Sequence, residues 1–380
     1  MVKSSAAGRN RTSAGGRIDE TIMRATVPSL PERLRQRIAR EGPISFYDFM
    51  QAALYDPAGG YYARGAAIGE GGDFLTSPHV SPAFAAALAR LFAIEAEGLA
   101  GPVDLVDVGA ADGRFLEDFA LTLRRIDPQL HARLRLTAVE GSPAGRGALA
   151  ARDIEPAPRI LEHVRDLAPA SVEGWIFANE LYDALPVLRL VGAEGGLLEM
   201  RVAVQGDRFV WSAAAATDGM REHLADLGVV LEPGQKAEIA PDAEAVHRIL
   251  ARALGRGSIV AFDYGHPARI LYHPFARPEG TLAVHVGGRR GGDPLESPGE
   301  RDLTAHVNWD VLLSAGEAEG LRSERLMRQG LFLTEIGILD FAGSDAEKWR
   351  IFRLIDPEGM GEELSVLVQR KGVVPGGARD

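Results

Sequence analysis

The chain has 380 residues, of which 46% are hydrophobic and 25% are charged, a composition typical of a globular enzyme. Its formal net charge of −11 argues against a nucleic-acid partner, because phosphate binding needs clustered lysine and arginine. The absence of cysteine excludes disulfides, thiolate nucleophiles and cysteine-ligated metals, and no apolar run is long enough to predict a membrane span.

The first residues differ in composition from the rest. Residues 1–17 are rich in serine, glycine and arginine, and the first acidic residue is Asp19. We expect a flexible tail over residues 1–28. Two interpretations remain open: a disordered tail on a cytoplasmic protein, or a transit peptide that would place the protein in the mitochondrial matrix.

A helical region is predicted over residues 29–100. Ser29 and Glu32 have the spacing of a capping box, which predicts a helix from there to about residue 40. A second helix should begin near Ser45 and end at a turn over residues 56–60. After a glycine-rich loop at residues 69–78, Ser81 and Pro82 should start a buried third helix that ends near residue 97.

From residue 101 the pattern alternates between strand and helix, which predicts an α/β fold with a doubly wound parallel sheet. We expect this core over residues 101–370, a β-rich insertion at about 187–240, and a flexible tail at 371–380. The β-rich character should be clearest between residues 187 and 231. Core strands are predicted at residues 103–108, 134–139, 175–178, 258–264 and 364–368, and helices at 114–125 and 241–254.

The first candidate site motif is DVGAADG at residues 107–113, directly after the first core strand. Glycine permits a tight turn that presents backbone N–H groups to a ligand, so Asp107, Gly109 and Gly113 are predicted to bind a cofactor. Ala111 and Arg114 stand where a dinucleotide fingerprint needs its second and third glycines. A cofactor without a pyrophosphate is therefore favoured. An ordinary strand–turn–helix connection would also fit this motif taken alone.

Glu140 ends the second core strand, where an acid can accept both hydroxyls of a ribose. The alternative is a solvated acid at the start of a turn. Taken with the loop at residues 107–113, Glu140 predicts a nucleoside cofactor, S-adenosylmethionine.

The third motif is NELYDALP at residues 179–186, after the next core strand. We predict that Asn179, Glu180 and Asp183 are catalytic, because paired carboxylates can orient a guanidinium and polarise its charge. Asn179 is also assigned to the cofactor site. The structural alternative is that Asn179 caps a helix whose first turn carries the two acids.

The fourth motif is DYGH at residues 263–266, after a further strand. Its histidine, His266, could act as a base or cap the loop. The nine histidines of the chain show no metal-ligand spacing, so no metal site is predicted.

These motifs resemble the MidA family of S-adenosylmethionine-dependent methyltransferases, whose mitochondrial members are complex I assembly factors. The resemblance covers residues 44–368. It implies a class I methyltransferase, with a Rossmann-like seven-stranded sheet, an N-terminal helical region and an insertion. The segments that carry it are YDP at 55–57, GYY at 60–62, GDFLTSP at 72–78, NE at 179–180, DALPV at 183–187, DYG at 263–265 and DLTAHV at 302–307.

The resemblance also implies a role for the glycine-rich loop and a substrate. Gly72, Asp73 and Thr76 would form a wall of the cofactor site. The reaction would be N-methylation of arginine in a protein partner, such as a subunit of respiratory complex I. The oligomeric state is left open, with a homodimer as one option.

Two departures from the family pattern keep other functions open. The family usually continues its GDFLTSP segment with PEISQ, whereas this chain reads PHVSP at residues 78–82, which introduces His79. Ala111 also replaces a glycine. The alternatives are a non-catalytic or differently targeted S-adenosylmethionine-binding assembly factor and, less favoured, an NAD-dependent oxidoreductase.

Overall fold

The structure is a computed structural model that describes residues 28–64, 75–287 and 289–372. The predicted tails lie outside these ranges apart from residues 28, 371 and 372. The strands are β1 (Ile44–Ser45), β2 (Val103–Val108), β3 (Leu134–Val139), β4 (Arg159–Leu161), β5 (Val172–Asn179), β6 (Leu188–Ala193), β7 (Gly196–Gln205), β8 (Arg208–Ala215), β9 (Lys236–Ile239), β10 (Leu254–His266), β11 (Ala283–Val286), β12 (Arg289–Arg290), β13 (Asp302–Thr304), β14 (Val307–Asn308), β15 (Arg322–Arg328) and β16 (Leu364–Lys371).

The helices follow the polar and apolar periodicity of the sequence. They are α1 (Leu30–Glu41), α2 (Phe46–Tyr55), α3 (Ser77–Val80), α4 (Pro82–Ala96), α5 (Arg114–Ile126), α6 (Pro128–His131), α7 (Pro143–Ala151), α8 (Asp218–Asp226), α9 (Pro241–Ala253), α10 (Ala268–Leu271), α11 (Trp309–Ala318), α12 (Gln329–Glu335), α13 (Asp345–Ile355) and α14 (Met360–Glu363). No helix among the described residues is both long enough and apolar enough to cross a bilayer.

The predicted helix starts are present. The Ser29 backbone N–H donates to Glu32 Oε2 at 2.7 Å, which begins α1. At the start of α2, Ser45 Oγ accepts the Asp48 N–H at 3.0 Å, and at the start of α4, Ser81 Oγ accepts the Ala83 N–H. These short-range hydrogen bonds satisfy backbone donors that have no partner inside the helix.

The central sheet has the order β4-β3-β2-β5-β10-β16-β15, with β14 added beside β10. The strands from β4 to β10 are parallel along this path, and β16 runs antiparallel to both of its neighbours. This confirms the α/β methyltransferase fold with seven strands. The strand order reverses between β2 and β5, the position at which doubly wound sheets bind their ligands.

The sheet is covered on both faces. On one side α4 and α5 pack against it through aromatic side chains, and Phe115 stacks on Phe177 with ring centroids 3.9 Å apart. On the other side α9 packs on Val106 and Ile176. All six residues of β2 are buried, as expected for a central parallel strand. The carboxyl ends of β2, β3, β5 and β10 therefore share one edge of the sheet.

Strands from the predicted insertion and β1 of the N-terminal region form a second, antiparallel sheet in the order β1-β7-β6-β9, with β8 beside β7. It packs against α2, where Phe46 lies 5.1 Å from Trp211 between ring centroids. The expectation of β-rich structure as far as residue 231 is wrong over Asp218–Asp226, which is helix α8. Thr217 caps this helix, and a hydroxyl cap favours helix even beside strands.

Candidate active site

The loop after β2 adopts a left-handed backbone at three positions. Gly109 and Gly113 each have φ of 79°, and Ala111 has φ of 49°. Glycine adopts such angles freely, whereas an L-residue with a side chain costs about 1–2 kcal/mol. Ala111 thus keeps the backbone shape that a glycine would give. Ala111 in place of the family's glycine was one reason to consider a non-catalytic protein. This replacement leaves the backbone shape of the loop unchanged.

Glu140 holds this loop in place. Its Oε2 accepts the Ala111 N–H at 2.8 Å, its Oε1 accepts the Ser142 N–H at 2.7 Å, and the residue is only 9% exposed. The alternative of a freely solvated acid is therefore wrong. Each carboxylate oxygen has a second lone pair, so Glu140 can still accept the two hydroxyls of a ribose.

Asp107 lies buried at the end of β2, behind the same loop. Burial and, to a lesser extent, the charges of Glu140 and Asp112 raise the pKa of its carboxyl to about 8. A buried acid with acidic neighbours is stabilised by a cation. The residues at this end of the loop therefore suit a ligand with a positively charged group.

His79 joins the N-terminal region to the cofactor loop. Its Nε2 lies 3.3 Å from Asp112 Oδ1, and its Nδ1 shares a hydrogen bond of 2.9 Å with the Thr76 hydroxyl. Burial would raise the pKa of Asp112, but hydrogen bonds from His79 and the Arg114 N–H, with the charge of Arg152, hold it below its ordinary value. His79, which departs from the family pattern, therefore has a structural role in joining the N-terminal region to the cofactor loop. Thr76 lies close to the loop, whereas Gly72 and Asp73 fall outside the described residues.

Asn179 and Glu180 follow β5 at the same edge of the sheet. The Asn179 Nδ2 donates to Glu180 Oε1 at 3.0 Å, and Glu180 has a φ of 51°. The Asn179 Oδ1 is buried and has no hydrogen-bond partner among the described residues, so it is free to accept from a ligand. The helix-cap alternative is wrong, because residues 180–187 form a turn and contain no helix.

A second pair of acids lies beside Glu180. Asp263 accepts backbone N–H groups from Tyr182 at 2.8 Å, Asp183 at 3.3 Å and Tyr264 at 2.8 Å. Burial raises the pKa of both Asp183 and Asp263. Because the N–H groups point at Asp263, that residue holds the negative charge, and the pKa of Asp183 rises well above its ordinary value.

Two tyrosines close this acidic cluster from the N-terminal region. Tyr62 Oη donates to Asp302 Oδ1 at 3.0 Å, Tyr55 Oη donates to the Ala184 carbonyl at 2.9 Å, and the two rings lie 5.4 Å apart. Sequence reasoning assigned no site role to Asp263, Asp302 or either tyrosine. Asp263 belonged to the strand-end motif DYGH, and the family-like segments YDP, GYY and DLTAHV were the signal for the other three residues.

Burial and, to a lesser extent, the charges of Asp263 and Asp302 raise the pKa of Glu180 to about 8, against a hydrogen bond from Asn179 that lowers it. No lysine or arginine among the described residues forms an ion pair with Glu180, Asp183 or Asp263. Uncompensated buried carboxyls favour binding of a cation. The same residues form no arrangement that could hold a metal ion. An organic cation such as a guanidinium fits the site.

The sheet, the left-handed loop and the acid after β3 define an S-adenosylmethionine-dependent methyltransferase. A family model for S-adenosyl-L-methionine-dependent methyltransferases matches residues 87–327. The chain belongs to this family, which confirms the MidA resemblance, the enzyme class and S-adenosylmethionine as the cofactor.

Individual relatives agree. The chain is 27% identical to the mitochondrial protein arginine methyltransferase NDUFAF7 of Mus musculus over 394 residues, covering 89% of this chain and 83% of that protein. It is 27% identical to the NDUFAF7 homolog of Drosophila melanogaster, covering 91% and 86%. A Burkholderia thailandensis protein crystallised with S-adenosyl-homocysteine is 29% identical to this chain, and the two structures superimpose with a TM-score of 0.81. The match covers 91% of this chain and 92% of that one.

Proposed function

We propose that this protein transfers the methyl group of S-adenosylmethionine to the guanidinium of an arginine in a protein substrate. The observation that carries the proposal is the acidic cluster of half-buried Glu180 with buried Asp183 and Asp263, which has no cation partner among the described residues and lies beside the cofactor loop. The names of the mammalian and insect relatives as protein arginine methyltransferases support it.

Asp107, Gly109, Gly113, Glu140 and Asn179 would hold the cofactor, with Thr76 and the adjoining Gly72 and Asp73 along its N-terminal side. When bound, S-adenosylmethionine supplies an electrophilic methyl group on its sulfonium. The unpartnered Asn179 Oδ1 and the free lone pairs of Glu140 suit the donors of such a ligand.

Glu180 would orient the acceptor. A carboxylate can bind a guanidinium through two parallel hydrogen bonds, which places one nitrogen for attack and draws positive charge away from it. The guanidinium nitrogen must lose a proton once it carries the methyl group. A carboxyl whose pKa is raised to about 8 is a suitable acceptor for that proton. Asp183, with its raised pKa, would keep a second polar group beside the acceptor.

The substrate that the MidA resemblance implies is a subunit of respiratory complex I. The mouse and Drosophila relatives are named as mitochondrial proteins, which supports the matrix location and gives no support to a cytoplasmic one. The transit peptide itself would lie in residues 1–17, outside the described ranges.

The test is to incubate the protein with methyl-labelled S-adenosylmethionine and an extract of cells that lack it, then hydrolyse the labelled proteins and separate the amino acids. We expect the label in methylarginine. Label in another amino acid would contradict the proposal. Binding of S-adenosyl-homocysteine without any transfer would instead favour a non-catalytic assembly factor.

A further inference from the structure

Beside the acidic cluster lies a cationic one, formed by three arginines around two histidines. Arg277 Nη2 donates to His266 Nε2, and the rings of His266 and His306 lie 5.7 Å apart. Burial and the charges of Arg277, Arg290 and Arg328 lower the pKa of His306 to about 3. Burial and the charges of Arg277 and Arg328 likewise lower the pKa of His266 to about 4. Both histidines are therefore neutral, and the positive charge belongs to the arginines.

Separate elements of the fold bring these arginines together. Arg277 follows α10, and Arg290 lies on β12, opposite His285 in the strand register. Arg328 ends β15 and donates to Ser365 Oγ at 3.0 Å. Ser365 in turn pairs with Asp263 across β16 and β10, which places Arg328 next to the acidic cluster. The cluster thus depends on regular strand pairing.

Little negative charge offsets these cations. Arg328 forms one ion pair, with the exposed Glu362 at 3.1 Å, whereas Arg277 and Arg290 form no ion pair with any described residue. Burial lowers the pKa of Arg277, and the charges of Arg290 and Arg328 lower it further. The His306 Nδ1 is buried with no hydrogen-bond partner in the described ranges. Arg277 and Arg328 are half-buried and Arg290 is exposed, and like charges that act on one another in this way favour an anionic ligand.

Tyr264 connects the two clusters. Its ring lies 6.2 Å from that of His306, and burial raises its pKa, with the charges of Glu180 and Asp183 adding to this effect. Asp263 of the acidic cluster and His266 of the cationic cluster lie three residues apart on β10. Because an extended chain advances about 3.3 Å per residue, a bound peptide would span that separation with roughly two to four residues. A peptide whose arginine meets Glu180 could reach the cationic cluster with a side chain that distance away.

We propose that Arg277, Arg290 and Arg328 bind the carboxylate of an aspartate or glutamate in the substrate protein, two to four residues from the methylated arginine. The inference rests on the proposed function and adds a substrate requirement to it: the acidic cluster selects the arginine, and the cationic cluster selects its neighbour. Guanidinium groups suit this role because they bind carboxylates with two parallel hydrogen bonds.

The experiment uses the full-length protein saturated with S-adenosyl-homocysteine and fluorescent peptides with a central arginine. One peptide set carries glutamate two, three or four residues before or after the arginine, and a matched set carries glutamine. A third set keeps the glutamate and replaces the arginine by alanine. Binding is measured by fluorescence polarisation, and methylation of the same peptides with S-adenosylmethionine is measured by mass spectrometry.

The variant is Arg290→Gln, and the matched control is Arg289→Gln. Both arginines are exposed on β12, and because side chains alternate along a strand, that of Arg289 lies on the opposite face from that of Arg290. We expect the wild type to prefer the best glutamate peptide by about tenfold or more, the scale of a charge-assisted hydrogen bond. Arg290→Gln should reduce that preference to about twofold, and Arg289→Gln should retain it.

Equal binding and methylation of the glutamate and glutamine peptides would overturn the inference and leave arginine methylation standing. An equal loss of preference in Arg289→Gln and Arg290→Gln would also overturn it, as would no binding of the acidic peptides by the wild type. A different result would separate the two proposals. If the wild type binds the acidic peptide that lacks arginine, Arg290→Gln does not bind it, and no peptide is methylated, the anion site is supported and the proposed function is refuted.

Discussion

Replacing Glu180 by glutamine tests the acceptor site while preserving its shape. The amide oxygen can keep the contact that Glu180 Oε1 makes with Asn179 Nδ2 at 3.0 Å, but the negative charge is lost. Burial disfavours that charge and raises the pKa of Glu180 to about 8. The wild type should lose stability relative to the neutral variant as the pH rises from about 4.5, the ordinary pKa of glutamate, to about 8, and the variant should stay the more stable of the two above that range.

The expected loss of activity follows from the hydrogen bonds that a guanidinium would make. A carboxylate offers two charge-assisted bonds, whereas an amide offers one neutral oxygen, so the variant should lose about 3 kcal/mol of transition-state stabilisation. At about 1.4 kcal/mol per factor of ten, methyl transfer should fall about a hundredfold. The affinity for S-adenosyl-homocysteine should hardly change.

Both quantities are measured on one protein sample: the rate of arginine methylation with labelled cofactor, and the calorimetric affinity for S-adenosyl-homocysteine. The control is Glu363→Gln, which removes an exposed acid that acts electrostatically on Tyr264, as Glu180 also does. The control should retain nearly full activity. Normal turnover in Glu180→Gln would refute the reasoning and leave Glu180 as a structural acid of the turn.

Three further outcomes are expected. Glu180 has a pKa of about 8 and pairs with a cation only when it is ionised, so kcat/KM should rise with pH and level off above about 8. Glu180→Gln should abolish this rise, and a flat pH profile of the wild type would contradict the assignment. Glu140→Ala should weaken S-adenosyl-homocysteine binding by about 1–3 kcal/mol in calorimetric titration and destabilise the loop at Ala111; unchanged affinity would limit Glu140 to anchoring that loop. At a hundred times its Kd, S-adenosyl-homocysteine should stabilise the protein by about 2.7 kcal/mol, seen as a higher melting temperature; a shift with NADH alone would contradict the cofactor assignment.

Features set by neighbouring residues could be predicted from the sequence. The caps at Ser29, Ser45 and Ser81 depend on hydrogen bonds within three residues, and all three are present. The core strands could be predicted for a similar reason, because an alternation of short apolar runs with helices permits few sheet topologies. The turn after β5 was harder, since Asn179 followed by acids also fits a helix start.

Features that depend on distant pairs could not be predicted. Tyr62 and Asp302 are 240 residues apart in the chain and meet only because the N-terminal region folds over the sheet edge. The left-handed backbone of Ala111 could not be predicted either, because an alanine in the sequence does not indicate that conformation. Its N–H finds the Glu140 carboxylate, and that contact helps to offset the conformational cost. In the sequence, His79 was only a departure from the family pattern. Its contact with Asp112, which joins the N-terminal region to the cofactor loop, is evident only in the structure.

The most direct test of the account is a crystal structure of the protein with S-adenosyl-homocysteine. The loop at residues 109–113 should contact the ligand, the ribose hydroxyls should donate to Glu140, and the sulfur should face Glu180 and Asp183. A ligand bound elsewhere, or bound with its sulfur turned away from Glu180, would contradict the assignment of the methyl-transfer site.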